Sequence, residues 1–264
     1  MRLLLTAALA CLLALSSAGL MLIRSAQTKE QAAFEALTEP TPLPIAAERP
    51  AATTPDVLSP PTPLPAAPVP ENAERFAGLI AENSDFAAWL RIDGTAIDYP
   101  VMRSPDEPDF YLHHDFAKQE SMSGTPYIGK GCDLGSDNII LYGHNMKNGT
   151  MFADLLRFAD ADFCREHRTV GFDTVEESAE YEILAAFRER VHRQDEVGVF
   201  RYYDYTGTLT EAEFNAYVEQ IKALSLYDFG TGAAYGDQLL TLSTCAYHTE
   251  NGRFVIVAVK HTEA

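Results

Sequence analysis

Apolar residues fall along this chain in three regimes. From Leu3 to Ile23 they form an almost unbroken run of 21 residues without a charge, long enough to cross a bilayer as one helix. A secretory signal core is shorter, roughly 7–15 residues, so the run reads first as an uncleaved signal anchor over 1–24. Ser16-Ser17-Ala18 keeps a cleavage site open as the alternative. From Glu39 to Pro70 periodicity disappears, and eleven of the 15 prolines lie between Pro40 and Pro70. Such a stretch builds no core and behaves as a semi-rigid spacer; 25–70 is taken as a Pro-rich linker. From about Glu71 to Ala264 periodicity returns, in a segment long enough to bury one core.

Within that last segment, Phe76, Leu79 and Ile80, then Phe86, Trp89 and Leu90, are spaced like the apolar faces of two short helices. Short apolar runs bounded by Gly, Asp and Asn follow: Ala96–Val101, Tyr127–Ile128, Asn138–Tyr142, Arg168–Phe172, Tyr181–Phe187, Gln238–Thr244 and Arg253–Lys260. They read as strands. Met151–Phe158 has the look of a brief helix. Thr210–Leu224 is a clearer one, because Thr210 and Glu213 fit a capping box and Phe214, Tyr217, Ile221 and Leu224 share a face. Many short strands with few helices predict a mainly β barrel or sandwich.

Charge removes one class of function. The chain carries 20 Lys and Arg against 38 Asp and Glu, a formal net charge of -18, so a nucleic-acid partner is not expected. The four cysteines, Cys11, Cys132, Cys164 and Cys245, form no CxxC pair and no dense framework. No metal-ligand cluster is visible, and neither a metal nor another cofactor is expected. A Cys132–Cys164 disulfide stays open outside the cytoplasm.

Candidate chemistry gathers at the C-terminal strands. Gln238–Thr244 reads as a buried strand that ends on Cys245, and Arg253 begins the next one after a turn-rich stretch. If the two strands pair as a hairpin, Cys245 and Arg253 flank the same mouth. A guanidinium there favours a thiolate and can hold a developing oxyanion. Taken alone, a cysteine at a strand end is usually an inert buried thiol. A thiol nucleophile also needs a proton donor for its leaving group. Of the seven histidines, His144 stands at the end of the strand Asn138–Tyr142, before a polar loop, a common place for a catalytic side chain and also for a satisfied turn histidine.

These strings resemble a known family. Thr241-Leu242-Ser243-Thr244-Cys245, Tyr142-Gly143-His144-Asn145-Met146 and Arg253 eight residues after the cysteine are similar to the sortases, membrane-tethered cysteine transpeptidases of Gram-positive-type envelopes. The stretches 89–95, 97–101, 138–141 and 148–152, with the helix 210–224, narrow the resemblance to class B. It implies a sortase-type closed β-barrel of about eight strands with N-terminal helices and an inserted helix before the cysteine strand, over a catalytic domain at 71–264. It implies Cys245 as nucleophile, His144 as acid/base and Arg253 as oxyanion and substrate ligand, with Ser243 and Thr244 lining the groove. The implied donors are secreted proteins bearing a C-terminal sorting signal, cleaved at a Thr-Gly-type bond. The acceptor is an amine of the peptidoglycan precursor or, in a pilus-building variant, of a pilin. A peptidase that only hydrolyses and a non-enzymatic, tethered surface-binding module are the remaining alternatives. The implied location is the cell membrane, single-pass, with the catalytic domain outside the cytoplasm.

Overall fold

In the computed structural model the described residues are Pro70, 72–261 and, nearer the N-terminus, Met21, Ser25, Thr28, Lys29, Ala32–Phe34 and Leu37, all eight of these helical. The apolar run and the Pro-rich stretch lie almost wholly outside them. Among the described residues no helix is long and apolar enough to cross a membrane.

Helix α1 (Ala73–Glu82) precedes β1 (Phe86–Arg91) and β2 (Asp98–Met102). Then come β3 (Tyr127–Ile128), β4 (Asn138–Tyr142), a short helix α2 (Ala161–Glu166), β5 (Thr169–Thr174) and β6 (Ser178–Arg190). Helix α3 (Glu211–Leu224) and the hairpin β7 (Gln238–Cys245) and β8 (Gly252–Lys260) complete the chain. The strands close into one barrel in the order β1-β2-β3-β4-β7-β8-β6-β5. Closure leaves no free sheet edge, and α3 is inserted between the sixth and seventh strands, as the resemblance implied.

Alternation of side chains sorts the strands into two layers. Leu90, Tyr99, Ile140, Phe172, Tyr181, Leu240, Leu242 and Ile256 belong to the core inside the barrel. Leu239, Val255, Val257 and Val259 face the other way and pack under Phe214, Tyr217 and Ile221 of α3. That helix starts on the expected capping box: Glu213 N–H donates to Thr210 Oγ1 at 3.3 Å, and Thr210 N–H donates to the Glu213 carboxylate at 2.8 Å. A third cluster seats Phe76 of α1 against Phe86, Trp89 and Met102. Phe34 and Leu37, within 25–70, also touch the domain: Phe34 is 3% exposed and meets the Tyr99 ring edge-on.

Two expectations are corrected and one open possibility is closed. Phe86, Trp89 and Leu90 lie on strand β1, not on a second helix. Their i, i+3, i+4 spacing is a coincidence of a strand buried on both faces, with Ala88 and Leu90 inside the barrel and Phe86 and Trp89 under α1; such strands read as continuous apolar runs. Met151–Phe158 is not one helix, since a 3-10 helix spans Ala153–Ala159 and Met151 sits outside it at φ 57. Cys132 and Cys164 form no disulfide; both are free and buried. Burial pushes each thiol upward, keeping it protonated, and Cys132 Sγ–H donates to Asn138 O at 3.4 Å.

Candidate active site

The sheet itself brings the site together. β4 and β7 run parallel and in register from Asn138↔Leu239 to Tyr142↔Ser243. Both strands therefore leave the barrel at the same rim, and His144 emerges beside Cys245, the last residue of β7. Three hydrogen bonds stitch the two ends. Gly143 N–H donates to Ser243 O at 3.3 Å, Thr244 Oγ1 donates to Gly143 O at 2.7 Å, and Asn145 Nδ2 donates to Cys245 O at 2.9 Å. A Cβ at Gly143 would stand 2.7 Å from the Phe152 ring, so only glycine lets the two limbs of the histidine loop pack this closely.

The third residue arrives across the hairpin. β7 and β8 pair antiparallel down to Cys245↔Arg253, so the two side chains leave the same face. The turn between them is closed by Ala246 N–H donating to Gly252 O at 2.9 Å, with Asn251 at φ 55. Arg253 Nη1 donates to Gly252 O at 3.0 Å, which anchors one arm of the guanidinium beside the strand end.

His144, Cys245 and Arg253 line one cleft of about 730 Å³ together with Ser243 and Thr244. His144 is the sole imidazole among its lining residues. Its Nε2–H donates to Leu112 O at 2.9 Å, a contact that fixes the ring and leaves Nδ1 to exchange a proton. Ser243 is 1% exposed and its hydroxyl is 2.8 Å from Tyr202 OH. Tyr202 belongs to the segment between β6 and α3, so that insertion roofs the strand up to Ser243 and stops short of Cys245.

The other wall carries Tyr127, whose hydroxyl donates to Asp109 Oδ1 at 3.3 Å. Burial, and then the Asp109 carboxylate, drive that phenol upward. Burial pushes Tyr202 up to about 12, with the Ser243 bond and the Arg253 charge opposing. Both phenols stay protonated at neutral pH and act as neutral hydrogen-bonding groups. Among the described residues no group of three or more His, Cys, Asp or Glu side chains is placed to hold a metal ion.

The structure thus brings all five sequence-predicted residues into one cleft. Sequence reasoning missed Leu112, Tyr202 and the Asp109–Tyr127 pair. Leu112 acts through a backbone carbonyl, which no side-chain pattern announces. The aromatic run Tyr202-Tyr203 with Tyr205 was the available signal for the insertion.

A strand end that delivers a cysteine opposite an arginine, with a histidine from the parallel neighbour, is an arrangement suited to thiol-based acyl transfer. A family model described as the sortase domain matches residues 90–261. The chain is 34% identical to sortase B of Listeria monocytogenes over 178 residues, covering 66% of this chain and 69% of that protein. It is 26% identical to sortase B of Staphylococcus aureus over 188 residues, covering 70% and 73%. The solved sortase B of Clostridium perfringens superposes with a TM-score of 0.60 at 31% identity, over 70% of this chain and 99% of that one. The chain belongs to the sortase family, in its class B, and is a cysteine transpeptidase.

Proposed function

We propose that the cleft cleaves a C-terminal sorting signal and passes its acyl group to an amine, with Cys245 as nucleophile. The thiolate attacks the scissile carbonyl carbon, and the tetrahedral oxyanion forms beside Arg253, whose planar fork can donate to it. His144, protonated at Nδ1, gives that proton to the leaving amine as the C–N bond breaks. A thioester on Cys245 Sγ remains. An incoming amine attacks it, His144 Nδ1 takes the proton, and the thiolate departs. Ser243 and Thr244 shape the groove beside the thiol. The parallel register of β4 and β7 carries this reading, because it brings His144 to the rim where Cys245 already faces Arg253 across the hairpin.

The donors in this reading are secreted proteins, and the acceptor is an amine of the peptidoglycan precursor. The apolar run Leu3–Ile23 anchors the chain in the membrane in a single pass, the Pro-rich stretch spaces it, and the domain 71–264 works outside the cytoplasm. The test is mass spectrometry of the purified chain with a library of threonine-containing sorting peptides and candidate amines. A peptide–amine conjugate through a Cys245 adduct supports the proposal. Hydrolysate alone in the presence of every amine favours a peptidase, and a preference for a pilin lysine favours pilus assembly.

A further inference from the structure

Two strings that carry the family resemblance contain no catalytic residue: Ile97-Asp98-Tyr99-Pro100-Val101 and Asn148-Gly149-Thr150-Met151-Phe152. They meet inside the barrel. Met151 N–H donates to Tyr99 OH at 3.1 Å, in a buried contact between residues 52 apart. Met151 is 1% exposed and stands at φ 57, a left-handed conformation that a side-chain-bearing residue seldom adopts unless its surroundings hold it there.

Met151 is the returning limb of the histidine loop. Asn145 and Met151 form an isolated antiparallel bridge, and the next residue, Phe152, donates its N–H to His144 O at 2.9 Å. The Phe152 ring is also the surface on which Gly143 rests. The outgoing limb is tied to β7 by Gly143 and Asn145. The returning limb would leave a buried N–H without an acceptor if the Tyr99 hydroxyl were removed, a costly state. The Tyr99 ring is itself seated by Phe34, with ring centroids 5.5 Å apart at 83°.

We propose that Tyr99 is a positioning residue for His144: its hydroxyl pins Met151 in the left-handed turn, and that turn sets where the imidazole stands relative to Cys245. The inference rests on the role of His144 proposed above and deepens it. Tyr99 touches neither the thiol nor the substrate in this account; it acts through the backbone of the loop. Catalytic geometry is sensitive at this scale, since a displacement of about 1 Å can cost up to 10²-fold in rate.

The test uses the full chain, because Phe34 packs on Tyr99, and the library peptide that the wild type cleaves fastest. Tyr99→Phe removes the hydroxyl and keeps the ring. Tyr181→Phe is the control: Tyr181 is 1% exposed in the same core, and its hydroxyl donates to Gln238 Oε1 at 2.7 Å, away from the histidine loop. We expect Tyr99→Phe to lower kcat by roughly tenfold or more with KM within about twofold. Tyr181→Phe should leave both constants within about twofold. Equal losses in the two variants, an unchanged kcat in Tyr99→Phe, or a change confined to KM would overturn the proposal.

His144→Ala, assayed in parallel, separates the two claims. If it keeps the wild-type rate, the reading of the site fails. If it is inactive while Tyr99→Phe is normal, only the positioning role fails. Should Tyr99→Phe not fold, amide exchange in the wild type decides. The Met151 N–H should exchange at least about tenfold more slowly than that of exposed Lys147, and equal rates would remove the pin.

Discussion

The two faces of the β7–β8 hairpin are built from alternate residues of the same strands and do different work. Inward, Leu240, Leu242, Phe254, Ile256 and Ala258 enter the barrel core. Outward, β7 presents Thr241, Ser243 and Cys245 in succession. Thr241 Oγ1 lies 3.0 Å from Tyr217 OH, and Ser243 Oγ lies 2.8 Å from Tyr202 OH. Cys245, one step further, reaches the cleft. The inward face needs only volume and apolarity. The outward face is apolar at Leu239, Val255, Val257 and Val259, but beyond Leu239 β7 becomes a polar ladder whose rungs Thr241 and Ser243 are answered by the β6–β7 insertion, while the last, Cys245, lines the cleft. Folding and chemistry are thereby separated by one residue of register.

That separation can be broken deliberately. Leu242 is fully buried, and Leu242→Ala should cost about 2–5 kcal/mol of stability while the folded fraction keeps kcat/KM within about threefold. Chemical denaturation and single-turnover kinetics read the two effects, and a large kinetic defect in folded protein would merge the faces. Arg253→Lys should do the reverse. Lysine keeps the charge and loses the planar fork, so acylation should fall by about 10²–10³, roughly 2.7–4 kcal/mol, with an unchanged melting temperature. A surface arginine would give a change within about 0.5 kcal/mol, and acylation within that limit would remove Arg253 from the oxyanion.

Ser243→Ala sharpens the comparison at a smaller scale. It strips the partner from the buried Tyr202 hydroxyl and should cost about 1–3 kcal/mol, seen in denaturant, with acylation lowered less than in Arg253→Lys. A neutral result would mean the ladder carries no energy. The smallest effect lies at the edge of the insertion. The Arg190 guanidinium, and then the Arg193 N–H, hold the Glu196 carboxyl down from its ordinary 4.5 to about 2. A lowered carboxylate contributes stability above its unfolded value and loses it as pH falls through its folded one, here between about pH 4.5 and pH 2. Glu196→Gln should flatten that part of the acid titration of melting temperature slightly; an unchanged slope would mean that Glu196 gives the fold no pH-dependent stability.

Legibility in the sequence followed physical cause. β3 and β4 were readable to the residue because their apolar runs stop at polar turn formers. α3 was readable because a capping box announces itself locally. β1 was misread because burial on both faces erases the period of two that marks a strand. The site residues Cys245, His144 and Arg253 were legible through their flanking strings. The hairpin that sets Cys245 against Arg253 was legible as well; the arrival of His144 beside them was not, because it depends on a parallel register between strands about 100 residues apart. Leu112 supplies a carbonyl, and Met151 adopts a backbone conformation that its side chain does not encode, so neither had a signal to find.

The central claim is that the last rung of the outward ladder forms a thioester. The most direct measurement is peptide mapping of the chain after brief exposure to a cleavable sorting peptide at low amine, comparing the wild type with Cys245→Ala. An acyl adduct is expected on Cys245 alone, with Cys132 and Cys164 unmodified in their buried positions. The variant should show no adduct and no turnover, at a melting temperature near wild type. Turnover that survives Cys245→Ala, or an adduct on another residue, would contradict it.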